Sequence, residues 1–203
     1  MYKENEKVLV LFDFDGTITS KDSMVEFIQF TVGKVAYYKG LVKLSPMLTM
    51  YTLKLISNHI AKEKFVSHFF KGWNASDFKK NAKQYSLTQI DKIIRPKALE
   101  KIVWHKKQGH KIIIVSASMK CWLNDWCKKN DIELISTQLE VKNNKLTGKF
   151  STQNCYGIEK VNRVQKQYDL NEYDCIYAYG DSSGDKELLA LTDKSFYKPF
   201  REH

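Results

Sequence analysis

Five consecutive apolar residues, Val8 to Phe12, stop at the stretch Asp13-Phe14-Asp15-Gly16-Thr17. An apolar run without alternation fits a buried strand of a parallel sheet, because both faces of such a strand are covered. Similar runs follow at Lys111 to Val115 (KIIIV), Ile132 to Ser136 and Cys175 to Tyr179, with a last strand expected around Ser195 to Tyr197. Between the first two strands the spacing turns helical. Met24, Phe27, Ile28 and Thr31 form one stripe. Leu41, Leu44, Leu48, Tyr51 and Leu55 form a second, expected to break near Ser45-Pro46 because proline lacks an N–H. Phe65, Phe69 and Phe70 suggest a third, and Phe78, Ala82 and Tyr85 a fourth that starts near Asn74 to Ser76.

After Arg95-Pro96 strands and helices alternate. Helices are expected over Leu99 to Lys107 (ended at Gly109), Lys120 to Asn130 and Ile158 to Tyr168, with a short one through Leu191. Trp122 and Trp126, one helical turn apart, are expected in the core. Leu139 to Phe150 alternates about Asn143-Asn144 and predicts a hairpin. The whole pattern implies an α/β fold with a doubly wound parallel sheet. The expected core is residues 1–20 and 96–203, with a helical insertion over 21–95.

Composition adds limits. With 203 residues, 43% of them apolar, the chain can bury a real core, and three prolines and nine glycines leave little room for a flexible linker. Met1 to Lys7 is charged and does not resemble a signal peptide, and no apolar run reaches membrane-spanning length without a lysine. Cys121, Cys127, Cys155 and Cys175 lack zinc-ligand spacing, so free thiols in a reducing cytoplasm are expected. The net charge of +10 admits nucleic acid, an anionic membrane or a phosphorylated substrate as partner. No RNP, zinc-finger or aromatic-interleaved basic motif supports specific nucleic-acid binding.

The chemistry concentrates after the first strand. Asp13 and Asp15 are two apart and point to one side of an extended chain, at the carboxyl end of a strand where open α/β sheets bind ligands. Paired carboxylates with no cation beside them call for a divalent metal, and Mg²⁺ prefers such oxygens. A Ca²⁺ loop fits poorly, because such loops follow a helix and close on a Glu, whereas none appears here until Glu26.

DFDGT after an apolar strand resembles motif I of the haloacid dehalogenase superfamily. Ser116, directly after KIIIV, resembles motif II. Lys160, in Gly157-Ile158-Glu159-Lys160, resembles motif III, and Asp181 and Asp185 in GDSSGD resemble motif IV. The resemblance covers nearly the whole chain. It implies a Rossmann-like core with a helical cap and a Mg²⁺-dependent phosphohydrolase. By the same resemblance Asp13 is the nucleophile that forms an aspartyl-phosphate, and Asp15 is the general acid and then base. Asp13, Asp181 and the Asp15 main-chain carbonyl bind Mg²⁺, with Asp185 as a supporting ligand or as the group orienting Lys160. Ser116 and Lys160 hold phosphate oxygens, helped by N–H groups around Gly16. A phosphotransferase of the same fold, or a basic nucleic-acid or membrane-binding protein without turnover, are the rival readings.

The motif spacing most resembles the phosphoserine-phosphatase-like branch, which includes phosphatidylglycerophosphate phosphatases. Three positions depart from phosphoserine phosphatases: Asp22 stands where a Glu is usual, the insertion has no Arg before Arg95, and Gly184 replaces an Asn. Asp22 is still the expected substrate-binding residue there. The insertion is rich in lysine, and Val35 to Ile56 mixes lysines with Tyr37, Tyr38, Leu41, Met47, Leu48, Met50 and Tyr51. The commoner reading is a cap packed on itself with lysines outward. Peripheral contact with an anionic membrane, and a lipid phosphate in place of a small metabolite, stand beside it.

Overall fold

The computed structural model describes residues 6–201, so most of the charged Met1 to Lys7 stretch lies outside the described residues. The chain starts with β1 (Val8–Phe12) and then runs through α1 (Ser23–Val32), α2 (Lys34–Thr52), α3 (Asn58–Phe70) and α4 (Ala75–Thr88). It continues as α5 (Pro96–Lys107), β2 (Lys111–Met119), α6 (Lys120–Lys129) and β3 (Glu133–Thr137). A hairpin of β4 (Leu139–Lys142) and β5 (Lys145–Phe150) comes next. The chain ends with α7 (Ile158–Gln167), β6 (Cys175–Gly180), α8 (Lys186–Ala190) and β7 (Lys194–Tyr197).

Among the described residues, five strands pair in parallel in the order β3-β2-β1-β6-β7. Every residue of β1 is buried, which is why its sequence shows no alternation. Val8, Val10 and Phe12 pack toward one side, with Ile102 of α5 and Trp122, Leu123 and Trp126 of α6. Leu9 and Leu11 pack toward the other, with Val164 of α7 and Leu188 of α8. Helices therefore cover both faces, and the fold is the doubly wound parallel sheet that the strand–helix alternation implies. Trp122 and Trp126 are in the core, as expected.

Two local features differ from the sequence expectation. First, α2 runs unbroken through Pro46. Proline removes the N–H that would have bonded the Val42 carbonyl, but the Ser45 hydroxyl donates to that oxygen at 2.8 Å instead. Second, β2 extends to Met119, so Ser116 sits inside the strand rather than after it, where pairing with β3 becomes irregular.

The hairpin turns at Asn143 and Asn144, both at positive φ (49° and 56°), as an Asn-Asn turn between twisted strands requires. It is bonded to the helices that precede α5 in sequence. The Gly72 N–H donates to the Leu146 carbonyl at 2.8 Å, the Leu146 N–H to the Trp73 carbonyl at 2.9 Å, and the Ala75 N–H to the Asn144 carbonyl at 2.9 Å. The Phe150 N–H donates to Oε2 of Glu63 at 2.8 Å. Among the described residues no helix is long and apolar enough to cross a membrane.

Candidate active site

Asp13 is the first residue beyond β1. Its N–H donates to the Tyr179 carbonyl at 2.9 Å, which continues the β1–β6 ladder by one residue and fixes the carboxylate at the sheet's carboxyl end. The chain then turns back on itself: the Thr19 N–H reaches the Phe14 carbonyl at 3.0 Å, and the Thr17 hydroxyl donates to Oδ2 of Asp13 at 3.0 Å. Gly16 takes φ +83°, and a Cβ there would collide with the Asp181 carboxylate. Only glycine lets the loop come this close to the next acidic group. The Gly16 N–H itself donates to the Thr19 hydroxyl at 3.3 Å.

Lys160, in the first turn of α7, is 2% exposed. Its Nζ donates to Oδ1 of Asp13 and to Oδ1 of Asp185, both at 2.6 Å. Burial opposes its charge, but the two carboxylates outweigh that and raise its pKa. Asp185 is shaped by its own turn: Oδ2 accepts from the N–H groups of Asp181 (3.1 Å) and Ser182 (3.0 Å) and from the Ser182 hydroxyl (2.9 Å). Burial pushes the Asp185 carboxyl up, but Lys160 and these donors prevail and hold it below the usual range. Burial pushes Asp13 up to about 7, against the pull of Lys160. Asp13, Asp181 and Asp185 present oxygens that all lie within 4.8 Å of one another. Oδ2 of Asp181 also accepts from Nη2 of Arg201 at 2.7 Å.

The Asp15 carboxylate stands apart from this cluster. Its Oδ1 accepts from the Ser23 N–H at 2.6 Å, and its Oδ2 from the Ser118 hydroxyl. Behind Ser118 runs a directed chain: Nε1 of Trp122 donates to the Ser23 hydroxyl at 3.3 Å, which donates to the Ser118 hydroxyl at 3.1 Å. Burial, aided by the nearby charge of Asp22, raises Asp15 to about 6. Ser116 is buried, and its Oγ accepts from the Ser118 N–H at 3.0 Å.

These groups line one cavity of about 270 Å³, which Asp13, Asp15, Asp22, Ser116, Lys160, Asp181 and Asp185 share with Asn58, Lys62 and Tyr156. All sequence-predicted site residues but one therefore line the cavity; Gly16 instead backs it, against Asp181. Asp22 has a second task, accepting from the Met24 and Val25 N–H groups as N-cap of α1. Lys62 was not singled out from sequence. Its Nζ donates to the Ala117 carbonyl at 2.9 Å, and both residues line the cavity. Ser23, Ser118 and Arg201 were missed as well; among these, only Ser118, two residues after Ser116, lay close to a motif. A neighbouring cavity of about 230 Å³ shares Asp22, Asn58 and Lys62 and adds Met24, Leu48, Tyr51, Ala61 and Phe65. A larger cleft of about 860 Å³, at the amino end of the sheet around Tyr168, Leu170 and Asp193, holds none of the predicted residues.

The donor set fits an oxygen-preferring dication: three carboxylates close together, with a buried ammonium offsetting part of their charge. A buried carboxylate bonded to a buried ammonium, with a second carboxyl held separately, is an arrangement suited to anionic substrates.

Comparison with known proteins agrees. The model of the haloacid dehalogenase-like hydrolases matches residues 10–190. Protein CicA of Caulobacter vibrioides is 31% identical over 201 residues, covering 97% of this chain and 88% of that protein. A protein of unknown function from Bordetella pertussis Tohama I superposes with a TM-score of 0.82 at 18% identity, over 94% of this chain and 89% of that one. A substrate-bound phosphoserine phosphatase complex superposes with a TM-score of 0.68 at 18% identity, over 96% and 87%. At such identities the structural likeness speaks for the fold.

Proposed function

The chain belongs to the haloacid dehalogenase-like hydrolases, and from that premise we propose that it is a Mg²⁺-dependent phosphatase acting on a phosphate monoester through an aspartyl-phosphate on Asp13. The observation that carries this reading is Lys160, buried and bonded at 2.6 Å to both Asp13 and Asp185, with Asp15 held separately by Ser118.

A phosphate monoester dianion repels an approaching carboxylate, so positive charge has to meet it first. Lys160 supplies one such charge next to the Asp13 oxygen. Mg²⁺, when held by Asp13, Asp181, Asp185 and the Asp15 main-chain carbonyl, supplies further charge that polarises the phosphoryl group. Ser116 and Lys160 orient the oxygens that are not transferred. Asp13 attacks phosphorus and the bond to the alcohol oxygen breaks, while Asp15 gives that oxygen its proton. Asp15 then takes a proton from the water that cleaves the aspartyl-phosphate, releasing phosphate and restoring Asp13. Burial that holds the Asp15 carboxyl up to about 6 suits a group that must be protonated first.

Residues 21–95 act in this reading as a cap over a core of 1–20 and 96–203, since α3 brings Asn58 and Lys62 to the cavity. Lys62 provides a cation where the insertion has no arginine before Arg95, and with Asp22, which lines the same cavity, it suits a substrate with a polar head group. That substrate is a small phosphorylated metabolite of the phosphoserine kind or a lipid phosphate. The buried free thiols accord with a reducing compartment.

Phosphate release from a panel of phosphoserine, sugar phosphates, nucleotides and phosphatidylglycerophosphate in detergent, with and without EDTA, tests the reading. Release that needs Mg²⁺ and vanishes in Asp13→Asn is the expected result. Turnover that survives in Asp13→Asn overturns the mechanism.

A further inference from the structure

α2 is apolar on both sides. Tyr37, Gly40, Leu41 and Leu44 face inward, and Gly40 lies so close to α3 that a Cβ there would strike the Phe69 ring. The opposite side is also apolar. Val35 (70% exposed) and Val42 (76%) lie seven residues apart on one stripe, with Tyr38 beside them and Leu53 (64%) at the helix end. Leu55, in the turn after α2, is 67% exposed. Exposed apolar side chains grouped in this way mark an interaction surface.

The charges around the stripe identify what covers it. From Phe27 to Lys62 the chain has no acidic residue, whereas Lys34, Lys39, Lys43 and Lys54 surround the apolar stripe. Apolar side chains framed by lysines alone match the interface of an anionic bilayer, where acyl chains take the former and head groups the latter. A second copy of the chain is disfavoured, because an isologous contact would set these lysines against their own images. The C-terminal part of the same helix, through Leu48 and Tyr51, lines the apolar cavity of about 230 Å³ that joins the catalytic cavity at Asp22, Asn58 and Lys62.

We propose that the outward face of α2, with the Leu53 to Leu55 turn, docks the protein on an anionic lipid bilayer, and that the phosphate monoester it cleaves is carried on a lipid. The docking half stands on the surface alone. The substrate half rests on the phosphatase reading above.

Co-sedimentation of the whole protein with vesicles tests the docking half. The vesicles are phosphatidylcholine alone, or phosphatidylcholine with one-third phosphatidylglycerol. Binding to the anionic vesicles should exceed binding to neutral ones about tenfold and fall with added salt. The triple variant Val35→Glu/Val42→Glu/Leu53→Glu should lose that binding. It should keep its circular dichroism spectrum and its turnover of soluble para-nitrophenyl phosphate, since none of the three residues lines the site. Wild-type protein that stays in the supernatant overturns the docking half, as does a triple variant that sediments equally well. A dimer seen by light scattering that the triple variant dissolves gives the face to a second copy instead, and overturns it too.

Phosphatidic acid in the anionic vesicles tests the substrate half. Wild-type turnover about tenfold above that of the triple variant supports it. No release from phosphatidic acid by vesicle-bound protein that still cleaves para-nitrophenyl phosphate overturns the lipid substrate alone. Absence of para-nitrophenyl phosphate turnover in a protein that binds vesicles overturns the phosphatase reading and leaves the docking surface standing.

Discussion

The ammonium of Lys160 and the Oδ1 oxygen of Asp13 are 2.6 Å apart although 147 residues separate them in the chain, and neither is open to bulk water. The contact closes the sheet's carboxyl end and joins α7 to β1. Lys160→Met leaves Asp13 and Asp185 buried without a counter-charge, which costs about 3–5 kcal/mol. Asp13→Asn keeps the Lys160–Asp185 bond and should change stability by about 1 kcal/mol or less, yet lower turnover by roughly a thousandfold or more. Urea unfolding of both variants beside their kcat values checks this. A Lys160→Met protein as stable as wild type contradicts it.

Ser118 bonds the Asp15 carboxylate and does not line the cavity, so in the proposed reaction it positions Asp15. Ser118→Ala removes a hydrogen bond to a carboxylate, worth about 1.5–3 kcal/mol, so kcat should fall roughly ten- to a hundredfold with KM little changed. Because the Ser118 bond favours the ionised form, its loss moves the Asp15 pKa upward from about 6. Ser118→Thr keeps the hydroxyl and should restore most of the rate. Equal rates for the alanine and wild-type proteins would exclude this positioning role.

Asp22 both caps α1 and faces the cavity, and two substitutions separate the tasks. Asp22→Asn retains an acceptor for the Met24 and Val25 N–H groups, so stability should hold within about 0.5 kcal/mol. Asp22→Ala loses the cap and about 1 kcal/mol. Both remove the charge, so both should change the order of preference among phosphorylated substrates in the same way. An unaltered order in both removes Asp22 from specificity.

His105 gives the fold a pH dependence away from the site. It is fully buried, with Nε2 2.8 Å from the Tyr179 hydroxyl and Nδ1 2.8 Å from Nδ1 of His110. Burial and then the neighbouring His110 and Lys101 lower its pKa to about 3. The unfolded chain, with an ordinary value near 6.5, therefore binds more protons between these limits. Stability is complete above about 6.5 and is lost as pH falls, by up to about 1.4 kcal/mol per pH unit from this group. His105→Gln should flatten the fall of Tm between about pH 6.5 and 4. An unchanged slope assigns the acid sensitivity to other groups.

What sequence made legible followed from local rules. β1 and β2 were readable because strands covered on both faces need unbroken apolar runs, and the hairpin because Asn143 and Asn144 accept positive φ. Asp13, Ser116, Lys160 and Asp185 converge on one cavity because Asp13 follows β1, Ser116 lies in the carboxyl-terminal half of the adjacent β2, Lys160 is in the first turn of α7 and Asp185 immediately precedes α8. Pro46 misled because its effect is cancelled by the residue next to it: the Ser45 hydroxyl takes the carbonyl that the ring leaves unpaired. Lys62, Ser23 and Arg201 were invisible because their partners lie far off or in another element. Lys62 meets Ala117 across 55 residues, and Ser23 meets Ser118 across 95. No spacing rule spans such gaps.

The hairpin's bonds to Gly72, Trp73, Ala75 and Glu63 bear on how the site can open. Although β4 and β5 follow β3 in the chain, they are fastened to the α3–α4 junction by main-chain bonds. The crossings before α1 and after α4 are bonded to each other, the Ser20 N–H to the Ile93 carbonyl at 2.7 Å and the Arg95 N–H to the Ile18 carbonyl at 2.8 Å. If the insertion opens as a cap in the proposed reaction, the hairpin moves with α3 and α4 as one piece. In that reading the pivots are the crossing before α1 and the crossing after α4, which are bonded together, and as a third the paired stems of the hairpin at Gln138 and Ser151. Cutting the chain at the tip between Asn143 and Asn144 would leave that third pivot intact, whereas lengthening either stem would uncouple it.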